Sequence, residues 1–321
     1  MNSLKEISAQ LIKNDNFLII GHSIPDGDCI GSMLGLYMGL ISLNKNVSMF
    51  LHDIIPSIYH YLPYVEYINN SLPEPDRIEN IIFLDCTDKD RVGFEVAPNL
   101  NKEATVFNID HHESNAFFGH YNYVDKRAAA TAEIIYELLG EMNIPLNENI
   151  ATPLYAGMVM DTGSFKYSNT TSKTHQIAAA LLESGVNLEK TRINLFESKP
   201  MQEVLLLAKA LRNFNISADG KIAWMLLPYA DIDEIAAHGL HPEGIINYTR
   251  MIKGVEVGLL FREIKPGLIK IGFRSKQGVD VALIAKELGG GGHKQAAGAS
   301  QEGDINTVCD QVIKIVEKMV L

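Results

Sequence analysis

Residues 17–28 read Phe-Leu-Ile-Ile-Gly-His-Ser-Ile-Pro-Asp-Gly-Asp. Phe17 to Gly21 is an apolar run of the kind that forms a short strand buried on both faces. The polar stretch from His22 to Asp28 reads as a loop, and helical periodicity resumes from Gly31 to Leu43. A buried strand, a polar loop and a helix make up the repeating unit of a largely parallel sheet wrapped by helices. The same pattern recurs downstream. Val47–Leu51, Ile81–Leu84 and Ala104–Ile109 read as further strands, and helices are expected over Ala128–Leu139, Asn147–Met160 and Ser172–Glu183. In open α/β sheets the ligand site lies beyond the carboxyl ends of the strands. That is where GHSIPDGD, DCTD and DHHES fall.

The pattern changes after Gly185. Leu188–Arg212 reads as a connecting helix that Pro200 interrupts or restarts. Beyond it, Phe214–Ala218 and Lys221–Leu227 flank Asp219-Gly220 as a hairpin, and Val255–Glu263 and Leu268–Arg274 flank Pro266-Gly267 as another strand pair. A helix over Val279–Leu288 runs into four glycines and His293. The expected organisation is a catalytic α/β domain over residues 1–186, a helical linker over 187–212 and a smaller α/β domain over 213–321, with the active site in the cleft. This agrees with a length of 321 residues, long for one hydrophobic core.

Composition narrows the function classes. No apolar run is long enough to span a bilayer, and the start lacks the layout of a secretion signal, so a cytoplasmic protein is expected. Cys29, Cys86 and Cys309 form neither a disulfide framework nor a C-x-x-C pair. The net charge of −11 disfavours a grip on long nucleic acid, which depends on basic patches and counterion release. A short anionic substrate needs only a few arginines and bound cations.

The chemistry is carried by acids and histidines placed at four successive apolar-segment ends, read here as strand ends: His22, Asp26 and Asp28; Asp85; Asp110, His111 and His112; and Asp161, which closes LYAGMVMD. Pro25 and Gly27 are expected to break helix, so that Asp26 and Asp28 converge on one point. One aspartate at such an end is ordinarily a helix cap, and one histidine an ordinary polar residue. Four clusters in order are not accounted for in that way. Carboxylates together with imidazoles suit a pair of divalent ions, manganese first and cobalt or magnesium behind. Such a pair can activate a water and hold a phosphoryl group for in-line displacement. His120, His175, His238 and His241 show no comparable spacing.

GHSIPDGD, FLDCTD, NIDHHESN and GMVMDTGSF resemble the four ordered motifs of the DHH phosphoesterase family. GGGGHKQAAGAS resembles the glycine-rich signature of its DHH-associated domain. Size and layout resemble the NrnA-type nanoRNase branch. The resemblance implies that His22 and Asp26 hold one metal ion, Asp28, His111 and Asp161 the other, and that Asp85 bridges them as a catalytic ligand. It implies that His112 is a catalytic donor to the scissile phosphate and that Asp110 orients a histidine.

For the second domain, Gly290, Gly291, Gly292, His293 and Lys294 are expected to cradle a phosphate or nucleotide through backbone amides. A plain turn after the helix, with Gly289 as its C-cap, is the alternative. Arg262 and Arg274 are candidate phosphate or base contacts, with Arg91 a further one, and surface ion pairs are their alternative. The expected substrates are nanoRNA of roughly two to five nucleotides and linear dinucleotides such as pApA or pGpG. The expected products are nucleoside monophosphates, and 3'-phosphoadenosine 5'-phosphate is a further candidate substrate. A family II inorganic pyrophosphatase and a non-catalytic nucleotide-binding regulator remain open. Long nucleic acid and membrane are not expected partners, and a homodimer through the first domain is compatible with this reading.

Overall fold

The structure, a computed structural model, describes residues 1–237, 244–276 and 278–320. The chain forms two compact units, Met1–Ser198 and Lys199–Leu321. Among the described residues no helix is long and apolar enough to cross a membrane.

The first unit opens with α1 (Leu4–Lys13), β1 (Phe17–Ile20), α2 (Gly27–Ser42), β2 (Val47–Phe50) and β3 (Ile68–Asn69). It continues with β4 (Asn80–Leu84), β5 (Thr105–Asp110) and β6 (Tyr121–Val124), and closes with α3 (Thr131–Glu141), α4 (Glu148–Asp161), α5 (Ser172–Glu183) and α6 (Leu188–Phe196). All six strands are parallel, in the order β3-β2-β1-β4-β5-β6. The continuous apolar runs divide by parity between two cores. Phe17, Ile19, Ile82, Leu84 and Phe107 pack beneath α2, α3 and α4. Leu18, Ile20, Ile81, Phe83 and Val106 pack on the other face, which short 3₁₀ segments and loops around Val92 and Val96 cover. The helices therefore favour one face.

Helix α2 begins four residues before the expected start. Asp26 is its N-cap, accepting from the backbone N–H groups of Asp28 and Cys29 at 3.1 Å each, and Asp28 lies in its first turn. The expectation of an irregular loop through Asp28 is corrected: the cap bonds outweigh the helix-breaking tendency of Gly27. Asp161 is the last residue of helix α4, not a strand end. Helix α3 starts at Thr131 instead of Ala128, with Ala130 extended at its N-cap position and offering no side-chain cap.

The second unit comprises α7 (Met201–Arg212), β7 (Phe214–Ile216), β8 (Ile222–Leu227), α8 (Tyr229–Glu234), α9 (Asn247–Arg250), β9 (Val257–Lys265), β10 (Leu268–Ser275), α10 (Val281–Glu287), β11 (Gly291–His293), β12 (Ala296–Glu302) and α11 (Ile305–Val320). Its sheet runs β11-β12-β10-β9-β8-β7, antiparallel except for the parallel pair β8–β9. Pro200 divides the connecting segment into α6 and α7 and stands at the N-cap of α7.

Candidate metal centre

Strand order reverses direction at β1, with β2 on one side and β4 on the other. Such a switch point leaves a crevice at the carboxyl edge of a parallel sheet. The loop after β1 brings His22 and Asp26 there, the end of β4 brings Asp85, and β5 ends in Asp110, His111 and His112. Helix packing supplies the rest. Gly31 of α2 sits against the backbone of α4, where a Cβ would come 2.3 Å from the Pro153 carbonyl oxygen. This close approach sets Asp28, at the start of α2, beside Asp161, at the end of α4.

Three groups of ligand atoms, each within 4.8 Å, result: His22, Asp26 and Asp85; Asp28, His111 and Asp161; and Asp85, Asp110, His111 and His112. Asp85 belongs to two of them. One of its oxygens lies 3.3 Å from His22 Nε2, and the other lies 3.6 Å from His111 Nε2. Asp26 and Asp28 do not meet at one point. They face different groups on either side of Asp85.

The imidazole orientations decide what the centre can hold. His22 Nδ1 lies 2.8 Å from the Ser23 carbonyl, and His111 Nδ1 lies 3.2 Å from the Ala128 carbonyl. A carbonyl only accepts, so each Nδ1 carries a proton and each ring turns its Nε2 inward, where the neutral form offers a lone pair. Those lone pairs face carboxylate oxygens 3.3–3.9 Å away, outside ordinary hydrogen-bond range. Ring edges aimed at carboxylates in this way fit a positive charge, supplied by a metal ion on the neutral imidazole or by the imidazole's own second proton. Asp161 adds to the case, because a carboxylate at the negative end of a helix dipole is unfavourable without positive charge nearby.

Electrostatics point the same way. Burial, then the charges of Asp85 and Asp161, push the Asp28 carboxyl well above its ordinary range. Burial raises Asp161 to about 6 against the pull of His111, with Asp85 and Asp26 adding to it. Burial opposes a charged ring at His111, yet Asp28, Asp85 and Asp161 raise its proton affinity. At His112 burial also works against the proton, but the 2.7 Å hydrogen bond to Asp110 and nearby carboxylates lift it to about 9.

Asp110 is fully buried and accepts from His111 N, His112 N and His112 Nδ1 through one oxygen and from Asn115 Nδ2 through the other. Its acceptor capacity is spent on holding the neighbouring histidines. Two residues escaped the sequence reading. Thr131 donates from its backbone N–H to Asp28 at 2.6 Å and from its hydroxyl to Asp85 at 3.0 Å, locking the two carboxylates together. Asn115, inside the quoted NIDHHESN, holds Asp110. Only a threonine at a helix start marks the first, a signal too common to stand out.

The other expected residues fall elsewhere. Arg91 is exposed, and its carbonyl accepts from Ser23 N–H beside His22. Arg262 on β9 and Arg274 on β10 are both half-buried in the second unit. Gly289 (φ 72°) and Gly290 close α10, their N–H groups donating to the Lys286 and Ala285 carbonyls at 3.1 and 2.8 Å. The cap alternative therefore accounts for those two amides, and the expected cradle loses Gly290 N–H as a donor. Gly291, Gly292 and His293 pair with Gly298, Ala297 and Ala296 in β12, and Lys294 is exposed beyond them. His120 accepts from Val106 N–H and His175 packs on Phe165, while His238 and His241 lie outside the described residues.

Comparison with known proteins agrees with this geometry. The DHH family N-terminal domain matches residues 16–158, and the DHHA1 domain matches residues 232–318. The bifunctional oligoribonuclease and PAP phosphatase NrnA of Thermus thermophilus is 33% identical over 302 residues, which cover 94% of this chain and 89% of that protein. A probable bifunctional oligoribonuclease and PAP phosphatase NrnA of Streptococcus mutans is 28% identical, covering 94% of each chain. The crystal structure of an exopolyphosphatase-related protein from Bacteroides fragilis shares the fold with a TM-score of 0.88 at 24% identity, over 98% of this chain and 95% of that one. With its acids and histidines gathered at the switch point of a parallel sheet and a full-length relative at this identity, the chain belongs to the DHH family and carries the DHHA1 domain.

Proposed function

We propose that the protein is a cytoplasmic, metal-dependent phosphoesterase that hydrolyses short oligoribonucleotides and linear dinucleotides to nucleoside monophosphates, and 3'-phosphoadenosine 5'-phosphate to AMP. The NrnA relatives, matched over nearly the whole chain, support both activities. The three buried free cysteines suit a reducing compartment. We assign catalysis to residues 1–186, substrate binding to 213–321 and the linker to 187–212.

His22 and Asp26 would hold one divalent cation and Asp28, His111 and Asp161 the second, with Asp85 shared and manganese the expected ion. Bound there, the ions supply Lewis-acid polarisation of phosphoryl oxygens and lower the pKa of a water. The chain's own residues do the rest. His112, its Nδ1 committed to Asp110, keeps its Nε2 edge for a phosphoryl or leaving oxygen. Arg91, whose carbonyl ties its loop to Ser23 beside His22, would supply a guanidinium to the phosphate. In the second unit the exposed Gly291 and Gly298 are paired across β11 and β12, and Gly298 is paired in turn with Gly272 of β10. Arg274 lies two residues along β10 in one direction. Lys270, paired with Arg262, lies two along in the other. Ile246 packs over Gly272, so the bare surface is the exposed Gly291–Gly298 pair; flanked by cationic side chains, it suits a stacked base and its phosphates, with Gly292, His293 and Lys294 along its border.

The observation that carries this reading is the pair of inward-facing Nε2 edges meeting buried carboxylates on both sides of Asp85. The test is hydrolysis by the manganese-loaded protein of pApA, 3'-phosphoadenosine 5'-phosphate, an oligoribonucleotide of about 24 residues and pyrophosphate. Rapid release of AMP from the first two is expected. Preference for the long strand, or release of phosphate from pyrophosphate alone, would overturn it.

A further inference from the structure

The loops that follow β1, β2 and β4 are tied to one another. Ser23 N–H donates to the Arg91 carbonyl at 2.6 Å, and Ile24 N–H donates to the Asp53 carboxylate at 2.7 Å. Gly93 lies against His52, whose ring would meet a Cβ there at 3.4 Å. Each loop turns one large apolar side chain outward: Ile24 is 78% exposed, Ile54 87% and Phe94 82%. Burial does not explain them.

Ile24 is the most constrained of the three. It is β-branched yet has a φ of 56°, a conformation such residues rarely adopt. Strain of this kind persists where the surroundings enforce it, and it collects at ligand sites. Ile24 stands two residues from His22 and two from Asp26, within about 7 Å of chain reach of either. Arg91 shares a loop with Phe94.

We propose that Ile24, Ile54 and Phe94 form an apolar rim that receives the nucleobase adjoining the phosphate held at the metal centre, an inference that rests on the function proposed above. One aromatic ring with two aliphatic arms gives stacking contact to any base, because every base has an apolar face. Arg91, on the same platform, meets the phosphate. The rim is too small for a stable protein partner: three side chains of roughly 200 Å² each fall short of the ~800 Å² per partner that a specific interface buries.

The test uses the full manganese-loaded chain with Phe94→Ala and Ile24→Gly. Glycine accepts the positive φ without strain, so folding is not at stake in the second variant. The probes are pApA and two analogues, each lacking one of its bases, with calorimetric titration of a phosphorothioate dinucleotide as a readout independent of turnover. We expect each variant to lose about tenfold in kcat/KM and affinity for pApA, mainly through KM, and to match wild type on one base-less analogue. Variants that treat all three substrates and the phosphorothioate as wild type does would overturn the rim. So would unchanged kinetics with an altered sedimentation coefficient, which would assign the rim to protein contact. If wild type itself neither binds nor cleaves any dinucleotide, the proposed function falls and the rim with it, a failure already visible without the variants.

Discussion

Asp85 combines a left-handed backbone, at a φ of 58°, with a carboxylate shared between two histidines. Asparagine tolerates that backbone and keeps the shape but lacks the charge. Asp85→Asn should therefore fold as well as wild type in chelator, since it relieves repulsion with Asp28. Its manganese-dependent turnover should fall by more than about 100-fold. Thermal melts in EDTA beside steady-state rates check both halves, and a D85N protein that keeps a tenth of the rate would remove Asp85 from the ligand set. Asp110 makes a different prediction. In the metal-free protein His112 keeps its proton until pH rises through about 9, because Asp110 stabilises the charged ring despite burial. Asp110→Asn withdraws that charge, so the ring should lose its proton at lower pH, nearer the ordinary 6.5. The alkaline limb of the kcat profile should shift downward, with kcat reduced about 10–100-fold at neutral pH. An unmoved limb would separate His112 from the rate. At this scale the ligand types were legible because carboxylates and imidazoles recur where apolar runs end. The partition around Asp85 was readable only through the family resemblance and not from residue spacing, because it depends on Asp26 capping a helix whose first turn carries Asp28.

The contact of α2 with α4 shows what a helix pair contributes to the centre. Gly31 cannot accept a methyl group without displacing the Pro153 carbonyl, which is backbone and cannot rotate away. Alanine is the better helix former by about 1 kcal/mol, so propensity alone favours Gly31→Ala. Overpacking against a fixed carbonyl costs more, and we expect a net loss of about 2 kcal/mol with weakened manganese binding, because Asp28 shifts from Asp161. Gly140, near the end of α3 with nothing within 4 Å of its missing Cβ, is the control. Gly140→Ala should be neutral or stabilising by up to about 1 kcal/mol. Chemical denaturation of both variants decides the matter, and equal behaviour would mean that α2 can slide. The same contact explains part of what the sequence concealed. Helix α4 was expected over Asn147–Met160, one residue short of its end, but Leu154 to Val159 is buried almost all round, so nothing in the pattern showed that Asp161 is the helix's own last residue and not a strand end. The strands β1, β4 and β5 were plain because both of their faces are buried. The two-residue β3 and the half-buried β6 lie at the edges, where neither length nor alternation marks them.

For the whole molecule the distribution of charge matters more than its sum. Residues 1–198 hold 13 Lys and Arg against 25 Asp and Glu, a net of −12, while residues 199–321 hold 15 against 14, a net of +1. The acidity therefore belongs entirely to the unit that bears the candidate metal centre. Two consequences follow. Ligands that bind only the folded state stabilise it by mass action, so manganese at about 100 times its dissociation constant should add roughly 3 kcal/mol to the first unit, and EDTA should remove it. A melt whose midpoint ignores manganese would contradict the proposed centre. The second consequence concerns substrate length. Each phosphate of a long strand beyond the centre meets a surface of its own sign, whereas a dinucleotide leaves few phosphates outside the centre. Screening weakens such repulsion, since the Debye length falls from about 30 Å at 0.01 M salt to about 8 Å at 0.15 M. The ratio of kcat/KM for pApA to that for an oligoribonucleotide of about 24 residues should therefore fall several-fold between those salt concentrations. If discrimination came instead from a steric stop at the end of the binding site, the ratio would hold constant across salt. Initial rates at fixed manganese over that range separate repulsion from a wall.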